Sequence, residues 1–404
     1  MNPPPAAYAS IWSLRFISVE AVSGVVLLAA AALALGWANS PWAHSYQALW
    51  RLKLELGVGR VLPAQDLHFW VNEGAMTVFF LLVGLEIRRE INDGALSDPK
   101  VATLPVIAAL GGVVVPALLY LLVNRDPATR HGWAIPTPTD IAFAVGVLSL
   151  IGRVPPAVRM LLLTLAIIDD IAAIAVIALS YSSGLALTGL PVLAAGVVLV
   201  LVMQRLSIAA ALPYVLPGVL AWWGMLRAGI HPALAGVLLG LLTPATLDFG
   251  RRKRQPAAGG GETTPLVRVE TRLHPWVAFG IMPLFALANA GVRVEGLDLT
   301  AGAPLAVGIV AGLVLGKPLG IVLATRAAVG LKLCALPDGV RWNHIVLMGA
   351  VGGIGFTMSI FIAALAFAEP GLLATAKFAV LVASGLAATL GFIFGRLPRA
   401  QRSR

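Results

Sequence analysis

The stretch LTLAIIDDIAAIAVIAL, residues 163–179, is long and apolar enough to cross a membrane as a helix, yet it carries two adjacent carboxylates, Asp169 and Asp170. On insertion scales an Asp at the centre of a spanning helix costs roughly 2.5 to 3.5 kcal/mol, so an ionised pair in lipid costs about 5 to 7 kcal/mol. The stretch therefore predicts a membrane protein in which both acids face partners inside a helix bundle.

The composition of the whole chain indicates the same class. Of its 404 residues, 59% are hydrophobic and 12% are charged, whereas a soluble domain is about 25% charged. The apolar runs are continuous and lack the alternation of membrane-barrel strands, so the spans are helices. The single cysteine, Cys334, excludes an intramolecular disulfide and a thiolate metal site. We expect an all-α polytopic membrane protein.

Apolar windows of about 20 residues predict about twelve transmembrane helices. An even number places both termini on one side, and that side then carries most of the 29 Lys and Arg residues. The positive-inside rule therefore predicts cytoplasmic N- and C-termini. The predicted spans are residues 17–38, 68–87, 101–123, 135–152, 157–181, 187–203, 209–225, 230–246, 274–291, 303–325, 342–368 and 373–395.

We expect a single transmembrane domain over residues 1–404, with two distinctive connections. The segment near 247–273 is rich in Gly, Pro and charged residues, which predicts a flexible cytoplasmic loop. The segment LWRLKLELGVG, residues 49–59, alternates apolar and polar residues with a period of two. This alternation predicts a short β-hairpin on the outer face, through which two protomers could pair.

Four ionisable residues lie near the middle of predicted spans: Asp169, Asp170, Asp140 and Lys317. Charged residues inside a membrane are rare, and they pair with one another or line a substrate pathway. Asp169 and Asp170 lie about 100° apart on a helix, so they face different surroundings. We expect one carboxylate to meet Lys317 across the bundle and the other to face a water-filled cavity.

A small hard cation such as Na⁺ prefers oxygen ligands, which Asp170, Asp140 and Thr139 can supply. A carboxylate in a cavity can hold either a proton or a cation, and this competition at one site is already an exchange mechanism. The alternative is a structural ion pair that locks two helices together. That alternative leaves the remaining acids without a role.

Two predicted spans are interrupted by helix-breaking residues. Pro136 and Pro138 lie in the fourth span, and a cluster of glycines lies in the eleventh: Gly349, Gly352, Gly353 and Gly355. Each broken span is second in a group of three, near 101–181 and 303–395, and the two groups begin on opposite sides. This pattern predicts inverted repeats with discontinuous helices that cross at the substrate site. Alternatively, the glycines allow neighbouring helices to pack closely.

The sequence resembles the NhaA-type sodium/proton antiporters over nearly its whole length. The segments that carry the resemblance are FFLLVGLEIRRE (79–90), WAIPTPTDIAFA (133–144), TLAIIDD (164–170), LHPWVAFGIMPLFALANAG (273–291), GKPLG (316–320) and GIGFTMSIFIA (353–363). The resemblance implies electrogenic exchange of Na⁺ or Li⁺ for protons across the bacterial inner membrane, by a homodimer without a cofactor.

The resemblance also implies roles for the intramembrane residues. Asp169 and Asp170 would be the transport carboxylates, with Asp170 the main Na⁺ ligand and Lys317 the partner of Asp169. Asp140 and Thr139 would lie where the broken helices cross.

Regulation by pH is a further implication of the resemblance. The matching positions are Glu86, Arg89, Glu90, His231, Glu270 and His274. From chemistry alone, Glu86, Arg89 and Glu90 share one helix face and can simply form a solvated cluster. Val267 and Thr271 stand where well-studied members carry Lys and His, so the pH threshold of this chain does not follow from the resemblance.

Three other functions also place charged residues inside a membrane. An intramembrane aspartyl protease needs its acids on different helices and a GxGD signature, which the sequence lacks. A passive cation channel would be expected to form a ring of identical filter segments, one from each of several subunits. A sodium-coupled symporter of a small solute is the nearest transporter alternative. We expect a secondary antiporter that acts in sodium and pH homeostasis, and not an enzyme. The expected partners are the transported ions, the lipid bilayer and a second copy of the chain, and no nucleic acid.

Overall fold

The computed structural model describes residues 6–54, 64–152, 154–182, 186–208, 210–245, 264–295 and 302–396. The helices of the first half are α1 (Ala6–Ala38), α2 (Ala43–Trp50), α3 (Leu67–Phe69), α4 (Met76–Asp93), α5 (Pro99–Val123), α6 (Pro127–Arg130), α7 (Ile141–Ile151), α8 (Pro156–Ser180) and α9 (Leu190–Arg205). Those of the second half are α10 (Val215–Ala228), α11 (Leu234–Leu242), α12 (Pro265–Trp276), α13 (Met282–Asn289), α14 (Ala303–Ala311), α15 (Lys317–Gly330), α16 (Trp342–Gly352), α17 (Phe356–Ala366) and α18 (Pro370–Arg396).

Wider π-helical turns interrupt three of the long helices. They span Trp70–Ala75 between α3 and α4, Val277–Ile281 between α12 and α13, and Gly312–Gly316 between α14 and α15. A π turn inserts an extra residue and turns the following side chains around the helix axis, and such turns are frequent at functional sites.

Every predicted span contains a helix. Five helical stretches within the described residues are long and apolar enough to cross a membrane: Leu67–Asp93, Pro99–Val123, Pro156–Ser180, Ala303–Gly330 and Pro370–Arg396. Two bent pairs, Val22–Ala38 with Ala43–Trp50 and Trp342–Gly352 with Phe356–Ala366, raise that number to seven. The multi-pass helical class is therefore confirmed, while the number of twelve and the inverted repeats remain predictions.

One predicted loop boundary differs in the structure, for an identifiable reason. The segment near 247–273 was expected to be a loop, but α12 begins at Pro265, because Thr264 accepts a cap hydrogen bond from Val267 N and Pro occupies the first turn. Residues 246–263 of that segment lie outside the described residues. Pro217 lies in the first turn of α10, where no N–H is needed. α10 ends at Ala228 and is followed by Gly229, whose φ of +74° lies in the left-handed region.

The expected hairpin is present but shorter than its pattern suggested. Residues 49 and 50 belong to α2, and the strands are β1 (Lys53–Leu54) and β2 (Gln65–Asp66). They pair antiparallel, with Lys53 opposite Asp66 and Leu54 opposite Gln65. Residues 55–63 of the hairpin lie outside the described residues.

The chain divides into two compact units. The first unit comprises residues 1–47, 100–173 and 286–404. In it α18 packs against α7, α14, α16 and α17, and α1 packs against α7. The second unit comprises residues 48–99 and 174–285, and in it α4 packs against α11 and α12 while α9 packs against α10.

Glycines allow the closest helix contacts within each unit. In the first unit a Cβ on Gly111 or Gly320 would collide with the backbone of the other residue. In the second unit Gly84 and Gly240 meet in the same way, with 2.7 Å between an added Cβ on Gly240 and Gly84 Cα. Small residues let backbones approach in a membrane, where lipid offers no hydrophobic drive for association.

Candidate functional site

Two broken helices meet in the first unit. The chain leaves a 3₁₀ turn at Ala134, runs without regular structure past Pro136 and Pro138, and becomes helical again in α7. The second break separates α16 from α17, which are bent by 46°. Both breaks fall where the prolines and glycines predicted them. They leave backbone N–H and C=O groups that need partners inside a buried region.

The two breaks supply hydrogen bonds to each other. Asp140 N donates to Ile354 O over 2.7 Å, and Ser359 Oγ donates to Ile135 O over 2.7 Å. Ser384 of α18 accepts from Phe356 N over 3.0 Å. These bonds hold the start of α17 against the fourth span and against α18.

The carboxylate of Asp140 caps two helices at once. Its Oδ1 accepts from Phe143 N over 3.0 Å at the start of α7. Its Oδ2 accepts from Thr357 N over 3.1 Å and from Thr357 Oγ1 at the start of α17. A negative charge is favourable at a helix N-terminus, and here one charge serves two termini. Asp140 was expected among the Na⁺ ligands; both of its oxygens accept hydrogen bonds in these caps, and Na⁺ binding by this residue remains a prediction.

Replacing Asp140 with Ala should lower the free energy of unfolding by about 2 to 4 kcal/mol, because each lost N-cap costs about 1 to 2 kcal/mol. Asp140→Asn keeps an acceptor oxygen and should lose less. Thermal unfolding of the purified variants in detergent measures this. Asp126→Ala is the control, since Asp126 is exposed and caps only the short helix α6. Equal losses for Asp140→Ala and Asp126→Ala would contradict the double cap.

Asp169 and Lys317 form a buried ion pair beside this crossing. Lys317 Nζ lies 2.6 Å from Asp169 Oδ2, and the two residues are 0% and 1% exposed. Lys317 Nζ also donates to Thr137 O. The ammonium therefore neutralises both a carboxylate and a backbone carbonyl at the end of a broken segment.

Thr139 completes the surroundings of Asp169. Its hydroxyl lies 2.7 Å from Asp169 Oδ2 and 2.8 Å from Gly352 O, at the end of α16. It was expected to be a Na⁺ ligand together with Asp170 and Asp140, and in the structure its hydroxyl bonds to the carboxylate of Asp169. Among the described residues, Asp169 Oδ1 is buried and receives no hydrogen bond, so one oxygen remains able to take a proton or a cation.

Asp170 is the next residue on α8 and is 2% exposed. It interacts electrostatically with Lys317, although the hydrogen-bonded partner of that lysine is Asp169. The two carboxylates thus have different environments, as their 100° separation on the helix required. Within the described ranges no three His, Cys, Asp or Glu side chains cluster as metal ligands do, so a cation here would also need hydroxyl, carbonyl or water oxygens.

The second unit contains the residues expected to respond to pH. Arg89 Nη1 is bonded to Glu270 Oε1, and Glu270 is 5% exposed. Burial raises the pKa of Glu270 above its usual 4.5, and the charges of Arg89 and His274 only partly oppose this. Glu90 Oε1 accepts a hydrogen bond from Ala95 N over 2.8 Å, just beyond the end of α4. The cluster thus contains a buried acid that titrates above its usual range.

The two remaining expected residues are Glu86 and His231. Glu86 is half-buried on α4, one turn before Glu90. His231 Nε2 lies 3.3 Å from Glu73 Oε1, in the π turn that precedes α4. Glu73 is about 20 Å from Glu86 along the helix at 1.5 Å per residue. The structure therefore does not bring His231 together with the other pH-linked residues.

Sequence reasoning missed three participants. Thr357 shares the Asp140 carboxylate, Glu73 contacts His231, and Lys377 is a further buried lysine, in α18. Glu73 follows an apolar segment and carried a signal as an acid inside a predicted span. Lys377 lies near the end of a span, where a lysine ordinarily reaches the interface.

Comparison with known proteins gives a consistent family. The family model described as Na⁺/H⁺ antiporter 1 matches residues 14–394. The Na(+)/H(+) antiporter NhaA of Acidovorax sp. strain JS42 is 55% identical, over 94% of this chain and 91% of the relative. The Na(+)/H(+) antiporter NhaA 2 of Pseudomonas putida is 52% identical over 94% and 92%, and the NhaA of Cupriavidus necator is 50% identical over 96% and 92%.

A solved structure shares the fold at much lower sequence identity. The sodium proton antiporter MjNhaP1 from Methanocaldococcus jannaschii, determined at pH 8, superposes with a TM-score of 0.50. It is 13% identical, and the match covers 95% of this chain and 98% of that one. At this identity the likeness concerns the fold alone.

Proposed function

The chain belongs to the NhaA-type sodium/proton antiporter family, and from that premise we propose that it exchanges Na⁺ or Li⁺ for protons across the bacterial inner membrane. The observation that carries the proposal is the buried Asp169–Lys317 pair beside Asp170, at the crossing of two broken helices. Buried charges in a membrane are costly and are expected to serve transport. We expect the exchange to be electrogenic and to serve sodium and pH homeostasis. It should require only the transported ions and no cofactor.

The proposed mechanism divides the work between the two carboxylates. Asp170 holds either a cation or a proton. Asp169 alternates between its pair with Lys317 and a protonated state, in which Thr139 can turn its hydroxyl toward Gly352 O. Because the cation and the protons compete for the same groups, uptake of one releases the other. Asp140 holds the two half-helices in place through the hydrogen bonds that its carboxylate accepts.

The experiment that tests this function follows Na⁺-induced proton movement in everted membrane vesicles with a pH-sensitive dye. Addition of Na⁺ or Li⁺ should release the dye from quenching, and addition of choline should not. A response whose rate does not change when valinomycin and K⁺ collapse the membrane potential would count against electrogenic exchange. No response between pH 6.5 and 9, roughly the range in which perturbed carboxylates and His titrate, would contradict the proposal if the protein is in the membrane.

The pH dependence is proposed to depend on the Arg89–Glu270 contact. A folded-state pKa above the unfolded value means that the folded protein binds the proton more tightly. The stability of the natural protein relative to Glu270→Gln should therefore fall as pH rises from about 4.5 through the folded pKa, and then level off. Melting temperatures of both proteins across pH measure this.

The same substitution should move the pH at which exchange begins. Glu295→Gln is the matched control, because the side chain of Glu295 is 91% exposed, and it should leave both profiles unchanged. A stability difference between the natural protein and Glu270→Gln that is constant with pH would rule out titration of Glu270. An altered stability profile with an unchanged transport profile would separate its titration from regulation.

We place both termini in the cytoplasm, because most Lys and Arg lie on that side of the predicted topology. We also propose a homodimer. The hairpin of β1 and β2 leaves strand edges that can pair with another chain. Cross-linking in native membranes tests the dimer.

A further inference from the structure

Lys377 is a second lysine buried in the first unit, and the mechanism above makes no use of it. It lies in α18, is 9% exposed, and donates a hydrogen bond from Nζ to Asn289 Oδ1 over 3.1 Å. Asn289 ends α13 and is 2% exposed. An ammonium has three donors, and an amide oxygen brings no negative charge. The hydrogen-bond partner of Lys377 is therefore neutral, whereas the partner of Lys317 is the carboxylate of Asp169.

The surroundings of Lys377 lack a counter-ion. Among the described residues no carboxylate oxygen lies within 4.0 Å of its ammonium. The helices packed along α18 are α7, α14, α16 and α17. The charged or titratable groups on or beside these helices, α13 and α18 are Asp140, Lys317, Arg341, His344, Glu369, Arg396 and the exposed pair Arg293 and Glu295. Of these acids, Asp140 is engaged in two caps, and Glu369 and Glu295 are exposed.

Lys377 lies apart from the crossing of the broken helices. Ser384, which accepts from Phe356 N, marks the level of the crossing on α18. Lys377 precedes Ser384 by about two turns, or about 10 Å along the axis. Tyr46 Oη donates to Leu287 O over 2.8 Å, next to Asn289. Lys377 therefore lies toward the membrane face at which α1 ends and α18 begins.

We propose that Lys377 is a proton-binding group separate from the Asp169–Lys317 pair, and that its charge opposes Na⁺ entry from the face at which α18 begins. Asn289 suits both states, because its amide oxygen accepts from an ammonium and its NH₂, after the amide turns over, donates to a neutral amine. The inference rests on the proposed exchange of Na⁺ for protons and adds control of cation access. For a cation that passes about 10 Å from a unit charge in a medium of effective dielectric constant near 20, the charge changes the local cation concentration by roughly tenfold.

The test uses two substitutions in proteoliposomes of known orientation. Lys377→Met removes the charge and keeps an apolar chain, and Lys377→Arg keeps the charge at every pH. With Na⁺ supplied at the face where α18 begins, Lys377→Met should lower the apparent KM for Na⁺ by up to roughly tenfold, with little change at the other face. Lys377→Arg should keep this KM high at alkaline pH, where that of the natural protein falls. Equal KM values for all three proteins at every pH would overturn the proposal.

A second measurement does not depend on transport. The difference in melting temperature between the natural protein and Lys377→Met should vary with pH if Lys377 binds and releases a proton in the folded protein. A constant difference would overturn the proposal, even if the protein exchanged Na⁺ normally. Conversely, a pH-dependent difference in a protein that does not exchange Na⁺ would leave the proton site standing while the proposed function failed.

A variant at Asn289 keeps the proposal testable if Lys377→Met does not fold. Asn289→Asp places a carboxylate against the ammonium and should hold it charged. The pH dependence of the apparent KM at the face where α18 begins should then disappear, and because the new carboxylate neutralises the ammonium, this KM should stay low, as in Lys377→Met. A dependence identical to that of the natural protein would overturn the role of Lys377.

Discussion

Asp170→Asn should abolish Na⁺-driven proton movement while the protein still inserts and folds. The substitution preserves the shape of a residue that is 2% exposed but removes both the charge and the site of proton binding. A contact to a charged group is worth about 1.5 to 3 kcal/mol, so cation affinity should fall by up to roughly a hundredfold. Dye quenching in everted vesicles measures the exchange, and the amount of protein in the membrane is measured in the same preparation.

The control for Asp170→Asn is the same change at an exposed acid of the same unit. Asp338 is exposed in a turn between α15 and α16, so Asp338→Asn should exchange at the natural rate. Normal exchange in Asp170→Asn would remove Asp170 from the transport site. Loss of exchange together with loss of the folded protein would instead make Asp170 a structural residue.

Lys317→Ala should destabilise the protein by about 3 to 5 kcal/mol, since it leaves the buried carboxylate of Asp169 without its partner. It also removes the donor to Thr137 O at the end of a broken segment. The pH profile of exchange should move, because the group that competes with protons for Asp169 is gone. Thermal unfolding in detergent and the dye assay across pH measure the two effects.

The double variant Lys317→Met with Asp169→Asn separates the ion pair from simple packing. It removes both charges and keeps the volume, so it should recover much of the stability that Lys317→Ala loses. Arg272→Ala, at an exposed position of α12, controls for loss of a basic residue and should change little. A Lys317→Ala protein with the natural melting temperature and pH profile would exclude a stabilising pair.

The sequence predicted those features of the site that depend on local chemistry. Pro136 and Pro138 cannot donate backbone hydrogen bonds, and clustered glycines favour a break, so the two interruptions could be located. The need to neutralise buried charge was enough to predict that one of the two carboxylates meets Lys317, and the family resemblance identified that carboxylate as Asp169; the structure contains this pair. The roles proposed for these residues in transport remain predictions.

Long-range contacts and helix irregularities could not be predicted from one sequence. The bond between Asp140 and Thr357 joins residues far apart in the chain, and no periodicity reports such a contact. The π turn before Lys317 leaves no compositional signal. Lys377 was missed because hydropathy near the end of a span does not distinguish a lysine that reaches water from one that packing has buried.

The shared cap at Asp140 limits how the crossing can deform. If α7 and α17 slid past each other by an ångström or more, buried N–H groups would lose their acceptor, at about 1 to 3 kcal/mol for each. α7 and α17 should therefore move together as one rigid unit, joined at the carboxylate of Asp140. Bending is left to the non-helical connectors at residues 135–139 and 353–355, which carry the prolines and glycines and lack a continuous helical hydrogen-bond ladder. Such bending has to preserve or exchange the hydrogen bonds that Ile135 O, Thr137 O and Ile354 O accept across the crossing.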